Sequence, residues 1–231
     1  MVAEQAAGDR DLGRFAVLLG ALVLLMVLLP FLTTVVGAVR FRLLITAVLL
    51  AGTYAMSRSR RVLMVGLALG ITALVTGWFS VFYDVPAAVV VVDRVSSALF
   101  LSLAAGVVLV AVLREQRVTT DTILGGICVY LLIALIFVLL FSLVEFLAPN
   151  SFQRGGVGLT ELFPEYADRF PTLLYFSFVT ITTLGYGDVS PVTEAGQMLS
   201  AGEAVLGQVY LVVFVARLVG LHISQSREIS R

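Results

Sequence analysis

The chain has 231 residues, of which 60% are hydrophobic and 13% charged, and its formal net charge is zero. Its mean hydropathy of +1.06 is too high for an ordinary soluble domain, and a neutral chain offers no basic surface to nucleic acid. Several apolar runs approach the about 20 residues that cross a bilayer as a helix. We therefore expect an integral membrane protein that spans the lipid bilayer several times and binds no nucleic acid.

Six apolar segments are predicted to cross the membrane. They comprise residues 15–36, 39–57, 62–82, 88–113, 122–147 and 195–221. Arg40 and Arg42 shorten the apolar core of the second segment, although long basic side chains can reach the headgroups. The first segment could instead be a cleaved signal peptide, but its apolar stretch is longer than the about 7–15 residues typical of one. We expect it to be retained.

The arginines indicate the orientation of the chain. An N-terminus in the cytoplasm puts most of the flanking arginines on the inner side, at positions 10, 14, 58, 60, 61, 114, 117, 227 and 231. Positions 40, 42, 94, 154 and 169 then lie outside. Cytoplasmic loops of membrane proteins carry an excess of basic residues. We therefore expect a multi-pass protein of the plasma membrane with both termini in the cytoplasm.

A polar stretch, residues 148–194, separates the last two segments. Its first part, residues 149–167, is rich in glycine and predicts an exposed extracellular turret. Residues 168–182 predict a short helix with Asp168 as N-cap and Pro171 in the first turn, where a missing N–H costs little. Roughly a dozen helical residues cover about 18 Å, half a bilayer. This helix is therefore predicted to be re-entrant.

The run Thr-Leu-Gly-Tyr-Gly-Asp at residues 183–188 follows that helix. Consecutive carbonyl oxygens can replace the water shell of K⁺ when the backbone turns them toward one axis. Glycine allows the backbone angles that this requires. We predict K⁺ coordination, with one further oxygen from the threonine hydroxyl, by Thr183, Leu184, Gly185, Tyr186 and Gly187.

This segment resembles the selectivity filter of the tetrameric potassium channels, of a bacterial type, and the resemblance covers residues 118–222. It implies that one chain supplies one quarter of a pore, so the functional unit is expected to be a homotetramer. Thr182, Asp188, Tyr175 and Glu203 are the expected filter support and outer mouth. Some family members carry a carboxylate on the pore helix, where this chain has Val179, so Tyr175 is a candidate replacement.

The last apolar segment resembles the inner helix of the same family. Gly207 occupies the position of the family's hinge glycine, and the alternative is a small residue that allows close helix packing. Gln208 is expected to face the central cavity. Glu203 lies one turn earlier, where its carboxyl could hydrogen-bond to the pore helix behind the filter or serve as a protonated structural group.

The first four segments lack the arginine array of a voltage sensor. Such a sensor carries several arginines at every third position of the fourth segment, and here none lies between Arg94 and Arg114. The predicted organisation is all-α: a four-helix membrane domain (residues 1–117), a pore domain (residues 118–222) with outer helix, pore helix, filter and inner helix, and a short cytoplasmic tail (residues 223–231).

Together these features predict a passive, K⁺-selective homotetrameric channel without strong voltage dependence. A weakly voltage-gated K⁺ channel and a poorly selective cation channel are the alternatives. A transporter with four pore loops in one chain fits less well, because the sequence has a single loop, and a non-conducting membrane subunit is a further alternative. No enzymatic residue set is recognisable, so we expect no enzyme activity, no cofactor, and no partners other than permeant K⁺, lipid and further copies of the chain.

Overall fold

The computed structural model describes residues 2–28, 35–55, 60–164 and 166–229, with side chains for residues 15–28, 43, 45–54, 60–164 and 168–226. The helices within these residues are α1 (Val2–Leu28), α2 (Val35–Ala55), α3 (Arg60–Phe82), α4 (Ala87–Arg114), α5 (Thr120–Leu147), α6 (Leu159–Leu162), α7 (Tyr166–Ile181) and α8 (Glu194–Ile229). Three short strands accompany them: β1 (Phe152–Arg154), β2 (Val157–Gly158) and β3 (Val189–Pro191). The described chain is thus mostly helical, as predicted.

Four helices of the described chain are long and apolar enough to cross a membrane: α3, α4, α5 and residues Glu194–Ser226 of α8. Two shorter apolar stretches lie in α1 and α2, at Phe15–Leu28 and Ile45–Tyr54. The predicted boundary between the first two segments was wrong, since Val36 belongs to α2 rather than to the first segment. Residues 29–34, between α1 and α2, lie outside the described residues.

The N-terminal helices pack around the side chain of Phe100 on α4. Phe100 is fully buried and lies between Gly52 of α2 and Gly70 of α3, whose missing side chains leave room for its ring. Small residues at such contacts let helices approach closely. Helices α1 and α4 then pack against α5, which connects this group of helices to the C-terminal part of the chain.

Helix α7 packs between α5 and α8. It begins at or before Tyr166, so the predicted N-cap at Asp168 was wrong, and Pro171 lies in the second turn instead of the first. The buried side chain of Arg169 donates from Nε to the carbonyl of Phe163 and from an NH₂ group to that of Pro164, both at 2.7 Å. These bonds hold the chain that enters α7.

Strands β1 and β2, before α7, form a small antiparallel sheet with β3, which follows residues 183–188. The strand order is β2-β1-β3, and the all-helical prediction did not include this sheet. Gly155 and Gly156 join β1 to β2 with φ of +59° and +86°, angles that suit a tight hairpin turn. Gln153 pairs with Gly158 on one side and with Ser190 on the other. The sheet therefore connects the predicted turret to the residues that follow the predicted filter.

Candidate functional site

The C-terminal end of α7 is closed by the residues that come next. The amides of Leu184 and Gly185 both donate to the carbonyl of Val179, at 2.9 and 3.3 Å. The amide of Thr183 donates to Thr180, at 2.9 Å. The last carbonyls of a helix otherwise lack partners. The segment after α7 is thus folded back with its amide groups directed toward the helix.

The backbone of residues 183–187 has alternating handedness. Thr183, Gly185 and Gly187 have φ of +57°, +58° and +77°, whereas Leu184 and Tyr186 are not among the residues with positive φ. In an ordinary strand successive residues share the same backbone angles, so this alternation sets residues 183–187 apart from a strand. The predicted glycine angles are present, and Thr183 adopts a left-handed conformation that is uncommon for a residue with a branched side chain.

This segment is open to its surroundings in the single chain. Leu184 is 56% exposed and Tyr186 67% exposed, and a β-carbon at either Gly185 or Gly187 would meet no atom within 4 Å. The space around both faces of the segment is therefore not filled by the described residues of its own chain.

Asp188, directly after this segment, is held from two directions. The hydroxyl of Tyr175 donates to Oδ1 of Asp188 at 3.1 Å. The amide of Gly155, in the β1–β2 turn, donates to the Asp188 carbonyl at 3.2 Å. Tyr175 thus makes the contact proposed for it, while Val179 is a buried apolar residue.

Glu203 lies behind α7 and is completely buried. The hydroxyl of Ser177, on α7, lies 2.5 Å from Oε1 of Glu203 and 3.0 Å from the carbonyl of Ala134 on α5. The other carboxyl oxygen, Oε2, is buried without a hydrogen-bond partner. A bare carboxylate would be costly in such a place, so the geometry favours a neutral carboxyl group. Ser177 and Glu203 link α7 to α5 and α8.

One side of α8 faces the rest of the chain. We call it the attached stripe, and it comprises Glu203, Gly207, Tyr210, Phe214 and Arg217, which recur at helical spacing. At Gly207, a β-carbon would lie 2.5 Å from Ile181 Cγ1 and 2.9 Å from the Ile181 carbonyl oxygen. The packing alternative for this glycine therefore has a definite structural basis, and α8 continues through it without a break.

Gln208 lies outside the attached stripe and is exposed in the single chain. The same side of α8 carries Val205 and Val212, which are 64% and 66% exposed. We call this side the open face. Gln208 is therefore directed away from α5 and α7 and remains available to face a cavity, as the sequence predicts.

Several residues at the site were not recognised from the sequence. Tyr130 on α5 donates its hydroxyl to the Ile181 carbonyl at 3.0 Å. Glu145, fully buried at the end of α5, accepts from the amides of Asn150 and Phe152, each at 3.0 Å, and from the Thr160 hydroxyl at 2.6 Å. The sequence offered one signal for Glu145, namely an acidic residue near the end of an apolar run. Such a residue needs hydrogen-bond partners when it is buried.

Comparison with known proteins adds one independent finding. Residues 127–222 match the Ion_trans_2 family model, described as "Ion channel". The matched range begins within α5, includes the sheet, α7 and residues 183–188, and ends within α8. No solved structure matches the chain. The match covers less than half of the protein, and together with the apolar helices it indicates a membrane protein that acts as an ion channel.

Proposed function

We propose that the protein is a passive, K⁺-selective channel in which four identical chains surround one pore. Residues 183–187 are the selectivity filter, α7 is the pore helix and α8 the inner helix. Both termini are cytoplasmic, α1 and α2 complete a set of six spanning helices, and α7 enters the membrane without crossing it. The channel acts in the plasma membrane, and it needs no cofactor beyond the K⁺ it conducts.

The backbone of the filter carries this proposal. Thr183, Gly185 and Gly187 have positive φ, and the amides of Leu184 and Gly185 bond to the Val179 carbonyl. We infer that the carbonyls of the segment are turned to the side away from α7. A row of carbonyl oxygens can replace the hydration shell of a dehydrated K⁺. The hydroxyl of Thr183 adds an oxygen at the inner end of the row.

The surfaces that the single chain leaves uncovered support the proposed tetramer. Irregular backbone at membrane depth is tolerated only where protein covers it or water fills the adjoining space. In the single chain, Leu184 and Tyr186 are exposed, and the open face of α8 is uncovered. Four chains around a common axis would cover these surfaces and place Gln208 in a water-filled cavity. The negative end of the α7 dipole would then stabilise a cation there.

The filter is supported from behind and at its outer mouth. Glu203 and Ser177 connect the inner helix to the pore helix, and Tyr175 restrains Asp188. Thr182, whose hydroxyl donates to the Phe178 carbonyl at 2.6 Å, secures the turn into the filter. Gly207 provides a place where the inner helix can bend during gating.

Recordings from the purified protein in planar bilayers test the proposal. With K⁺ on one side and Na⁺ on the other, we expect a reversal potential far from zero and in the direction of K⁺ permeation. Tyr186→Asp should abolish this selectivity, because it alters the filter, and should leave the tetramer intact in native mass spectrometry. Asp168→Asn, at an exposed acidic residue on α7, serves as the control and should keep the wild-type reversal potential.

Each alternative gives a different result. A reversal potential near zero would identify a poorly selective cation channel, and the filter assignment would then be wrong. A reversal potential far from zero in the direction of K⁺ permeation, combined with an open probability that changes gradually with voltage, would identify a weakly voltage-gated K⁺ channel. An equal K⁺/Na⁺ permeability ratio in wild type and Tyr186→Asp would also contradict the filter assignment.

A further inference from the structure

Arg217, at the end of the attached stripe, joins α8 to the end of α4. One of its guanidinium NH₂ groups donates to the carbonyl oxygen of Leu113 and, at 2.9 Å, to that of Glu115. These residues are more than a hundred positions away in the sequence. A charged side chain within an apolar spanning helix marks function unless its role is otherwise explained, and none of the contacts proposed for the filter involves Arg217.

The two accepting carbonyls belong to the C-terminal end of α4. Leu113 lies in the last turn, and Glu115 is the C-cap residue with extended backbone. The last carbonyls of a helix lack partners within it and carry the negative end of its dipole. Arg217 therefore supplies both hydrogen bonds and a compensating charge to α4 from a different part of the chain.

The rest of α8 near this point is fixed to α5. Tyr210 donates its hydroxyl to the carbonyl of Gly126 at 2.7 Å, and the ring of Phe214 occupies the space that a side chain at Gly126 would need. Arg217 follows one turn later and extends the attachment from α5 to α4. Bending of α8 at Gly207 would have to move all three side chains.

The contact of Arg217 is incompletely satisfied. Its Nε atom is buried without a hydrogen-bond partner. A buried donor without a partner lowers the stability of the arrangement that contains it. The attachment therefore combines two favourable bonds to carbonyl groups with one unfavourable feature, the buried Nε without a partner.

We propose that Arg217 is a gating latch, which holds the cytoplasmic half of the inner helix against the end of α4 while the channel is closed. Opening releases the latch as α8 bends. The proposal rests on the channel function proposed above, and it gives the N-terminal helices a role in regulating the pore. Any movement of the end of α4 that separates Leu113 and Glu115 from Arg217 then favours opening, without a voltage-sensing arginine array.

Two measurements on the full chain in lipid nanodiscs and bilayers test the latch. Arg217→Gln should increase hydrogen exchange in the last turn of α4 by about two- to fivefold, because the end of the helix loses its cation. It should also raise the ratio of open to closed time by roughly tenfold, since four latches act together. The K⁺/Na⁺ permeability ratio should not change. Arg217→Lys should give values between those of the wild type and Arg217→Gln, both for hydrogen exchange in the last turn of α4 and for the ratio of open to closed time.

Arg117→Gln is the matched control, because Arg117 is an exposed arginine in the same connection between α4 and α5. It should leave exchange and gating as in the wild type. Equal effects of the two glutamine variants, no change in exchange with Arg217→Gln, or a lower open probability would each overturn the latch. If the wild type fails to select K⁺, the proposed function is wrong, and the exchange measurement still decides whether Arg217 stabilises the end of α4.

Discussion

A single hydroxyl group, that of Ser177, lies within hydrogen-bonding distance of two helices besides its own. It contacts the Ala134 carbonyl on α5 and Oε1 of Glu203 on α8. A hydroxyl has one proton to donate and can accept further bonds. A neutral Glu203 would donate to Ser177, and Ser177 in turn would donate to Ala134. One small residue would then connect α5, α7 and α8 in a continuous chain of hydrogen bonds.

Ser177→Ala should destabilise the protein more than a serine substitution elsewhere in the pore region. It leaves both carboxyl oxygens of Glu203 buried without a partner, at a cost of about 1–3 kcal/mol per subunit. Ser200→Ala is the matched control, because the buried Ser200 bonds only to a carbonyl within its own helix, that of Gly196. Thermal unfolding in detergent measures both variants. Equal melting temperatures would contradict the role assigned to Ser177.

The residues that sequence analysis found and those that it missed differ in how far along the chain their interaction partners lie. Residues 183–188 were recognisable because the backbone conformation depends on the order of neighbouring threonine and glycine residues. Tyr175 could be suggested as a partner for Asp188 because both lie close to residues 183–187 in the sequence. Arg217 bonds to carbonyls of residues far away in the chain, and within an apolar run nothing indicates which helix end it reaches.

At the scale of the helices, α8 has two sides with different surroundings. The attached stripe packs on α5 and α7, whereas the open face has no contacts within the described chain that bury Val205 or Val212. Sequence pattern alone did not reveal this difference, because α8 is apolar on both sides and its amphipathic period is weak. The bounds of α3, α4 and α5 were predicted to within two residues, since charged or polar residues flank each apolar run.

Gly207→Ala tests whether this glycine serves packing, bending or both. The new methyl group would lie too close to Ile181, so we expect a loss of about 1–3 kcal/mol in stability. Gly220→Ala on the same helix meets no atom within 4 Å and should be neutral or stabilising, since alanine favours helix. Thermal unfolding and open probability are measured together. A variant with wild-type stability and reduced opening would identify Gly207 as a hinge only.

At the scale of the whole molecule, α4 offers little charge for the membrane field to move. Arg94 lies 2.5 Å from the neighbouring Asp93 on the same helix, and both side chains are buried. The pair carries no net charge when the helix shifts as a unit. Voltage acts on net charge, at about 2.3 kcal/mol per elementary charge for 100 mV. We therefore expect the proposed latch at Arg217 to respond to a stimulus other than a large voltage-driven displacement of α4.

The conductance–voltage relation should accordingly be shallow. We expect the open probability of wild type to change little between strongly negative and strongly positive potentials, measured in bilayers with equal K⁺ on both sides. Arg94→Gln should leave the slope as it is, although the uncompensated Asp93 is expected to lower stability. A steep wild-type curve whose slope falls in Arg94→Gln would show that Arg94 is a gating charge.

The exposure of residues 184 and 186 also bears on how the proposed tetramer is assembled. In the proposed tetramer, residues 183–187 obtain their surroundings only from neighbouring chains, because their own chain leaves Leu184 and Tyr186 uncovered. A newly inserted subunit in a bilayer cannot expose such a segment to lipid at low cost. Completion of the filter must then wait for subunits to meet, and the yield of finished pores depends on the density of subunits in the membrane.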